Sequence, residues 1–200
     1  MQGLQRTSGF TLLELIITIV ILAIVVSFAV PSFREVVLNN RLTAQINDAS
    51  SLMGFARSEA SKIQDGVITV CASADGAACS GANTWETGWI VMRDVDGDRT
   101  LDAGDDELLR ISRPLEGGNT MRIAGLTSNG GSFVQFSSNG FPVSPGIGSS
   151  AAGTVTVCDS RGAGSARAIV ISVSGQTRLA RDTSGNGVLN DHSDANITCP

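Results

Sequence analysis

GFTLLELIITIVILAIVVSFAVP, residues 9–31, decides how the rest of the chain is read. From Phe10 to Val30 the run is apolar at every position except Thr11, Glu14, Thr18 and Ser27. As a helix at ~1.5 Å per residue it spans ~32 Å, which matches a hydrocarbon core of ~30 Å. The stretch before it, MQGLQRTSG, carries Arg6 and the α-amino group as its positive charges and no acid. That bias predicts a cytoplasmic N-terminus, with everything after the span sent outward.

Two features set this span apart from an ordinary anchor or secretory signal. A secretory signal places its small-residue cleavage site after the apolar stretch, whereas here Gly9 stands before it. Cutting between Gly9 and Phe10 would remove residues 1–9 as a leader and keep residues 10–30 as a membrane helix. Glu14 is the second feature. An acid in the middle of a membrane costs about 2.5–3.5 kcal/mol on insertion scales, so it calls for a partner. The new amine of Phe10 would supply one.

The helical pattern continues outward past Pro31. Leu42, Ile46, Ala49, Met53, Ala56, Ala60 and Ile63 follow one another at alternating steps of four and three, a single apolar stripe. Arg41, Gln45, Asp48 and Lys62 fall on the other face. The spacing predicts one helix from Phe10 to Gln64, stopped by Asp65-Gly66, with residues 31–64 as its amphipathic half. Pro31 reads either as a kink or as a helix boundary at the membrane surface. Residues 65–200 read as a β-rich domain. VITVC (67–71), GWIVMR (88–93), ELLRISR (107–113), TMRIAGL (120–126), FVQF (133–136), TVTVC (154–158), RAIVISVS (167–174) and QTRLA (176–180) are short strands between turn clusters. Ser174-Gly175 predicts a tight hairpin between the last two, and residues 141–153 and 159–166 read as loops. The class is α+β: one long N-terminal helix packed on antiparallel sheet.

The chain has 200 residues, enough for one domain with a core, and a net charge of −5 that argues against general nucleic-acid affinity. Cys71, Cys79, Cys158 and Cys199 are widely spaced, and His192 is the one histidine beside them, a poor set for zinc. In an exported chain an even cysteine count reads as disulfides. Of three possible pairings, Cys71–Cys79 and Cys158–Cys199 are favoured; the first closes a short loop and the second pins the C-terminus.

Gly9-Phe10-Thr11-Leu12-Leu13-Glu14 resembles the processing site of type IV prepilins and of the pseudopilins of type II secretion. The resemblance implies cleavage after Gly9 by a prepilin peptidase and methylation of Phe10. Counted from Phe10, Glu14 is the fifth residue and Pro31 the twenty-second, the positions where that family has its glutamate and commonly its proline. Glu14 would then attract the Phe10 amine of a neighbouring subunit and set the axial register. NNRLTAQINDASSLMGFARSEA (39–60), VITVCASADGAAC (67–79) and TWETGWIVMRDVDGD (84–98) resemble the GspH/FimT family of minor pilins and pseudopilins. The fold implied is pilin-like. The partners implied are other pilins through the N-terminal helix, the prepilin peptidase and an inner-membrane assembly platform. The location implied is the inner membrane as a single-pass protein with a periplasmic C-terminal domain, and then a pilus or pseudopilus.

Other constellations are weaker. Asp94, Asp96, Asp98 and Asp102 fall at ligand positions of a calcium-loop template, but Arg99 replaces its glycine and Asp105 its final glutamate. A solvated acidic loop is the plainer reading, and no cofactor is expected. Asp182, Ser184, Asn186, Gly187 and Asn190 imitate the same template, and turn chemistry accounts for them. Arg161, Arg167, Arg178 and Arg181 form a candidate basic edge for DNA phosphates. DNA-binding FimT-like proteins carry a Gly-Arg-x-Arg element that this resembles in Gly175-Gln176-Thr177-Arg178, with Gln176 where the first arginine belongs. Trp85 and Trp89 read as core or subunit-contact residues, and His192 as part of a solvated tail. No nucleophile elbow, phosphate loop or metal-ligand cluster is present, so no enzyme is expected. The expected function is a minor pilin of the type IV pilus acting in assembly initiation or at the tip. The alternatives are a minor pseudopilin of type II secretion or a DNA-binding minor pilin in natural transformation.

Overall fold

The computed structural model describes residues 9–126, 133–143 and 152–200. Residues 1–8 of the expected leader and 144–151 of the expected 141–153 loop lie outside the described residues. The chain divides into two compact units, one ending at Asn40 and the other running from Arg41 to Pro200. One helix, α1, spans Leu12–Ala60.

In the first unit α1 passes through Pro31 without ending, so the boundary reading of that proline is corrected. A proline is missing one donor and crowds the preceding turn, but it does not by itself end a helix whose neighbours are good formers. The helix stops at Ala60 rather than Gln64. Ser61 Oγ donates back to the Arg57 carbonyl at 3.2 Å, and the next amides fold into three-residue turns, Lys62 N–H to Glu59 O and Ile63 N–H to Ala60 O. A hydroxyl bonded to the preceding turn competes with the helical ladder and suits a fraying end.

The described residues of the second unit form eight strands: β1 (Val67–Ala72), β2 (Trp89–Asp94), β3 (Glu107–Ser112), β4 (Thr120–Gly125), β5 (Phe133–Ser137), β6 (Gly153–Cys158), β7 (Arg167–Ile171) and β8 (Thr177–Leu179). They make two antiparallel sheets rather than one, in the orders β3-β2-β1-β5 and β4-β6-β7-β8. One core joins the helix to both. The buried stripe Leu42, Ile46, Ala49, Met53, Ala56 and Ala60 packs with Ile68, Val70 and Phe136 of the first sheet and with Ile123, Val155 and Ile169 of the second. Leu52 joins the stripe, and Ile63 stays at its rim.

Each sheet also buries residues on its far face. Cys71, Ile90, Met92 and Phe133 cluster behind the first sheet. Cys158, Ala168, Val170 and Ile197 cluster behind the second, under the C-terminal segment. With both faces covered, β1 and β6 lose the in-out alternation that marks a half-buried strand.

Gln45 corrects the expected polar face of α1. It is 7% exposed, its Nε2 donates to Glu116 O at 3.0 Å and its Oε1 accepts from Asn119 Nδ2 at 2.6 Å. The β3–β4 connection lies across the helix there. Burial of an amide is tolerated because both its ends are bonded.

Candidate functional site

Gly9 and Phe10 precede α1 and are exposed, Phe10 at 83%. No described atom lies within 4 Å of a Cβ built on Gly9, so among the described residues no close contact demands a glycine there. Thr11 caps the helix: its carbonyl accepts Leu15 N–H at 3.1 Å and its Oγ1 accepts Glu14 N–H at 3.2 Å. With Glu14 three residues on, Thr11-x-x-Glu14 has the form of a capping box. The sequence carried this signal, but Thr11 was not singled out from it. Glu14 therefore sits in the first turn, where the helix dipole favours negative charge.

The other hydroxyls of the apolar stretch are satisfied within the helix. Thr18 Oγ1 donates to Leu15 O at 2.8 Å and Ser27 Oγ to Ile24 O at 2.7 Å. Large apolar side chains from Phe10 to Val37 are exposed, and the helix is long and apolar enough to cross a membrane. Among the described residues, no hydrogen bond or ion pair engages the Glu14 carboxylate, so within this apolar stretch it is the charge still open to a partner.

Two disulfides close the second unit, Cys71–Cys79 and Cys158–Cys199. The first ties β1 to the loop after it. The second ties β6 to the C-terminal segment, which is bonded rather than frayed: Asn190 bridges Asn196, and Ile197 is buried. His192 belongs to this closure and is not a solvated tail residue. Its backbone N–H donates to Thr154 Oγ1 at 2.8 Å, and its Nδ1 lies 3.1 Å from the same oxygen. Asp182 makes a turn around its carboxylate, accepting the backbone N–H groups of Gly185, Asn186 and Gly187. The Gly187 bond leads in holding its carboxyl below the ordinary value.

The acidic loop after β2 is built around Asp94, which is fully buried. Its oxygens accept Gly97 N–H at 2.6 Å, Thr69 Oγ1 at 2.7 Å and Arg99 N–H at 3.0 Å. Carboxylates of Asp94, Asp96 and Asp98 lie within 4.8 Å of one another. Asp102 is not in that group; its backbone N–H bonds Asp106 Oδ2 at 2.9 Å. Desolvation first, and then repulsion from Asp98 and Asp106, raises its carboxyl above the ordinary value. Hydrogen bonds from within the chain account for the shape of this loop.

The four arginines do not form one edge. Arg161 is locked on Asp159, its Nη2 2.7 Å from Oδ2. Arg167 stands opposite Val157, a residue of the helix-facing core. Arg178 stands opposite Val170, which belongs to the cluster behind the sheet. Cross-strand partners share a face, so Arg167 and Arg178 project from opposite sides. Arg178 and Arg181 are exposed. Trp85 and Trp89 are 1% and 3% exposed, which places both in the core.

Residues 45–176 match a family model described as type II transport protein GspH, and residues 4–30 match the prokaryotic N-terminal methylation motif. No curated protein matches the chain. Among solved structures, a crystal structure of the type IV minor pilin FimU from Pseudomonas aeruginosa has a TM-score of 0.52 at 22% identity. It covers 71% of this chain and 90% of its own. A second crystal form of FimU gives 0.50 at 20% identity, covering 70% and 92%. At such identity the likeness is one of fold.

Proposed function

The chain belongs to the GspH family of minor pilins and pseudopilins, and we propose that it is a minor pilin of a type IV pilus that acts in assembly initiation or at the tip. The observation that carries this reading is a capped, exposed apolar helix that opens on Gly9-Phe10 and holds an unpaired Glu14 one turn in. In this reading the chain enters the inner membrane with its N-terminus in the cytoplasm. A prepilin peptidase cuts after Gly9, and the Phe10 amine is freed and methylated. Residues 10–30 leave lipid for a filament core of like helices, so their apolar surface stays out of water throughout. Glu14 meets the Phe10 amine of a neighbour, an attraction that low dielectric strengthens. The β-domain, closed by its two disulfides, becomes the contact surface.

A minor pseudopilin of type II secretion is the second reading, favoured by the description of the matching family. Its physics is the same, and its filament is a short periplasmic one. DNA capture has less support, because Arg161 is paired and Arg167 and Arg178 lie on opposite faces.

The test is the amount of pilin sheared from the surface of a deletion strain, with and without the gene restored. A large loss that complementation reverses supports the pilus reading. Unchanged piliation together with lost secretion of type II substrates would overturn it in favour of the pseudopilin.

A further inference from the structure

Among the described residues the two sheets have four edges, and three of these are closed or short. Along β4, the Asn83 side chain stands in for a strand, its Oδ1 accepting Ile123 N–H at 3.0 Å and its Nδ2 donating to Ile123 O at 2.9 Å. Along β5, the chain folds back so that Val143 N–H bonds Gln135 O at 2.8 Å and Phe136 bridges Pro142. β8 is only three residues long. β3 has six residues and is paired with β2 alone. Among the described residues, no other backbone hydrogen bond reaches it. An open strand of this length is a template for another chain.

Beside the C-terminal end of β3 lies a groove of about 500 Å³ against α1, lined among others by Arg41, Asp48, Trp89, Arg110, Arg113 and Glu116. Trp89 is 3% exposed, yet its indole Nε1 has no hydrogen-bond partner. Buried donors are nearly always paired in folded proteins, so this one is an exception beneath the groove. The guanidinium of Arg110 lies over the Phe55 ring, 4.2 Å from its centroid. Among the described residues, no ion pair engages Arg41, Arg110 or Arg113. They outnumber the two acids that share the lining.

We propose that the β3 edge and this groove receive an extended acidic segment from a different pilin subunit of the same filament. Its backbone adds a strand to β3, and its carboxylates meet Arg110 and Arg113. This is recognition by strand addition with charge setting the choice of partner. A peptide fits better than a nucleic acid because the open edge presents both N–H and C=O groups, and a peptide backbone can pair with both whereas phosphates carry no donor for the carbonyls. The proposal rests on the filament-subunit reading above.

The test places a photo-crosslinking residue at Ser112 in the full chain, expressed in its own host, and at Ile24 in a parallel strain. The expected result is a Ser112 product with a different pilin, mapped to a stretch containing Asp or Glu. Arg110→Glu with Arg113→Glu should lower that yield at least about tenfold, since like charges at an interface are strongly unfavourable. Both arginines are exposed, and the change removes the Arg110 contact with Phe55 at the rim of the core. Products from Ile24 without a pilin product from Ser112 overturn the proposal and leave the filament reading standing. A Ser112 product with nucleic acid or only with a second copy of this chain overturns it too. Loss of pilin products at both positions overturns both readings.

Discussion

Glu14 stands where a helix can best hold a negative charge, one turn from a capped N-terminus. That local support reduces the cost of an acid near lipid without removing its need for a cation. Glu14→Ala should therefore insert and be cleaved normally but reach sheared filaments at a small fraction of the wild-type level. Glu14→Gln should fail in the same way, because it keeps the size and loses the charge. Normal incorporation of either variant would remove the register argument. Gly175 carries two sequence readings, half of a Ser174-Gly175 hairpin turn and the start of a basic element, and the structure bears out the turn between β7 and β8. Its φ is +76°, and an added Cβ would overlap the Gly140 carbonyl oxygen that also accepts Arg57 Nε at 3.1 Å. Gly175→Ala should destabilise the fold by roughly 2 kcal/mol or more, from left-handed backbone strain and the clash together. A thermal melt of the variant with an unchanged midpoint would show that the hairpin relaxes freely.

At the scale of elements, the strands were legible because β-branched runs such as VITVC and TVTVC sit between turn clusters, and each became a strand. The helix stripe was legible for the same kind of reason, since its period is local. The partition into two sheets was not. β5 leaves its sequence neighbour β4 to pair with β1, and no local pattern records a partner more than sixty residues away. Gln45 was misplaced for a related reason: what covers it is a distant loop. The cysteines were readable as closures, and their separations of 8 and 41 residues rank them. By loop entropy, opening the shorter costs about 2.5 kcal/mol and the longer about 4. The Cys158→Ser, Cys199→Ser pair should lower the melting midpoint more than Cys71→Ser, Cys79→Ser. Acid should loosen the same C-terminal region. Burial raises the Asp159 and Asp191 carboxyls, but hydrogen bonds from Arg161 and from Ser193 and Ala195 outweigh it, leaving both below the ordinary 3.8. Asp182 is lowered as well. Groups depressed in the folded state bind fewer protons there, so their stabilisation is present above pH 3.8 and lost as the pH falls through the folded values. Hydrogen-exchange protection, taken relative to the intrinsic rate at each pH, should fall between pH 5 and 3 in residues 182–200 before it falls in β1 and β2.

Across the whole molecule, the two units present different surfaces. The apolar side chains of residues 10–37 are exposed, while every buried cluster and both disulfides draw on residues from Leu42 onward. A fragment from Arg41 to Pro200 should then fold cooperatively in plain buffer, whereas the full chain should need detergent. A fragment that lacks a cooperative melt would mean that the N-terminal half of the helix contributes to the fold. The same fragment decides how much of the basic reading survives. The whole chain carries a net charge of −5, and Arg178 and Arg181 are the two exposed arginines left from the four. Each phosphate neutralised contributes about −0.9 to the slope of log affinity against log salt, so two arginines give a slope of about −2. Duplex DNA should accordingly bind weakly, with that shallow dependence, in a titration over a range of salt concentrations. A slope several times steeper, abolished by Arg178→Ala with Arg181→Ala, would mean that a wider basic surface assembles on the DNA and would restore DNA capture as a function of this chain.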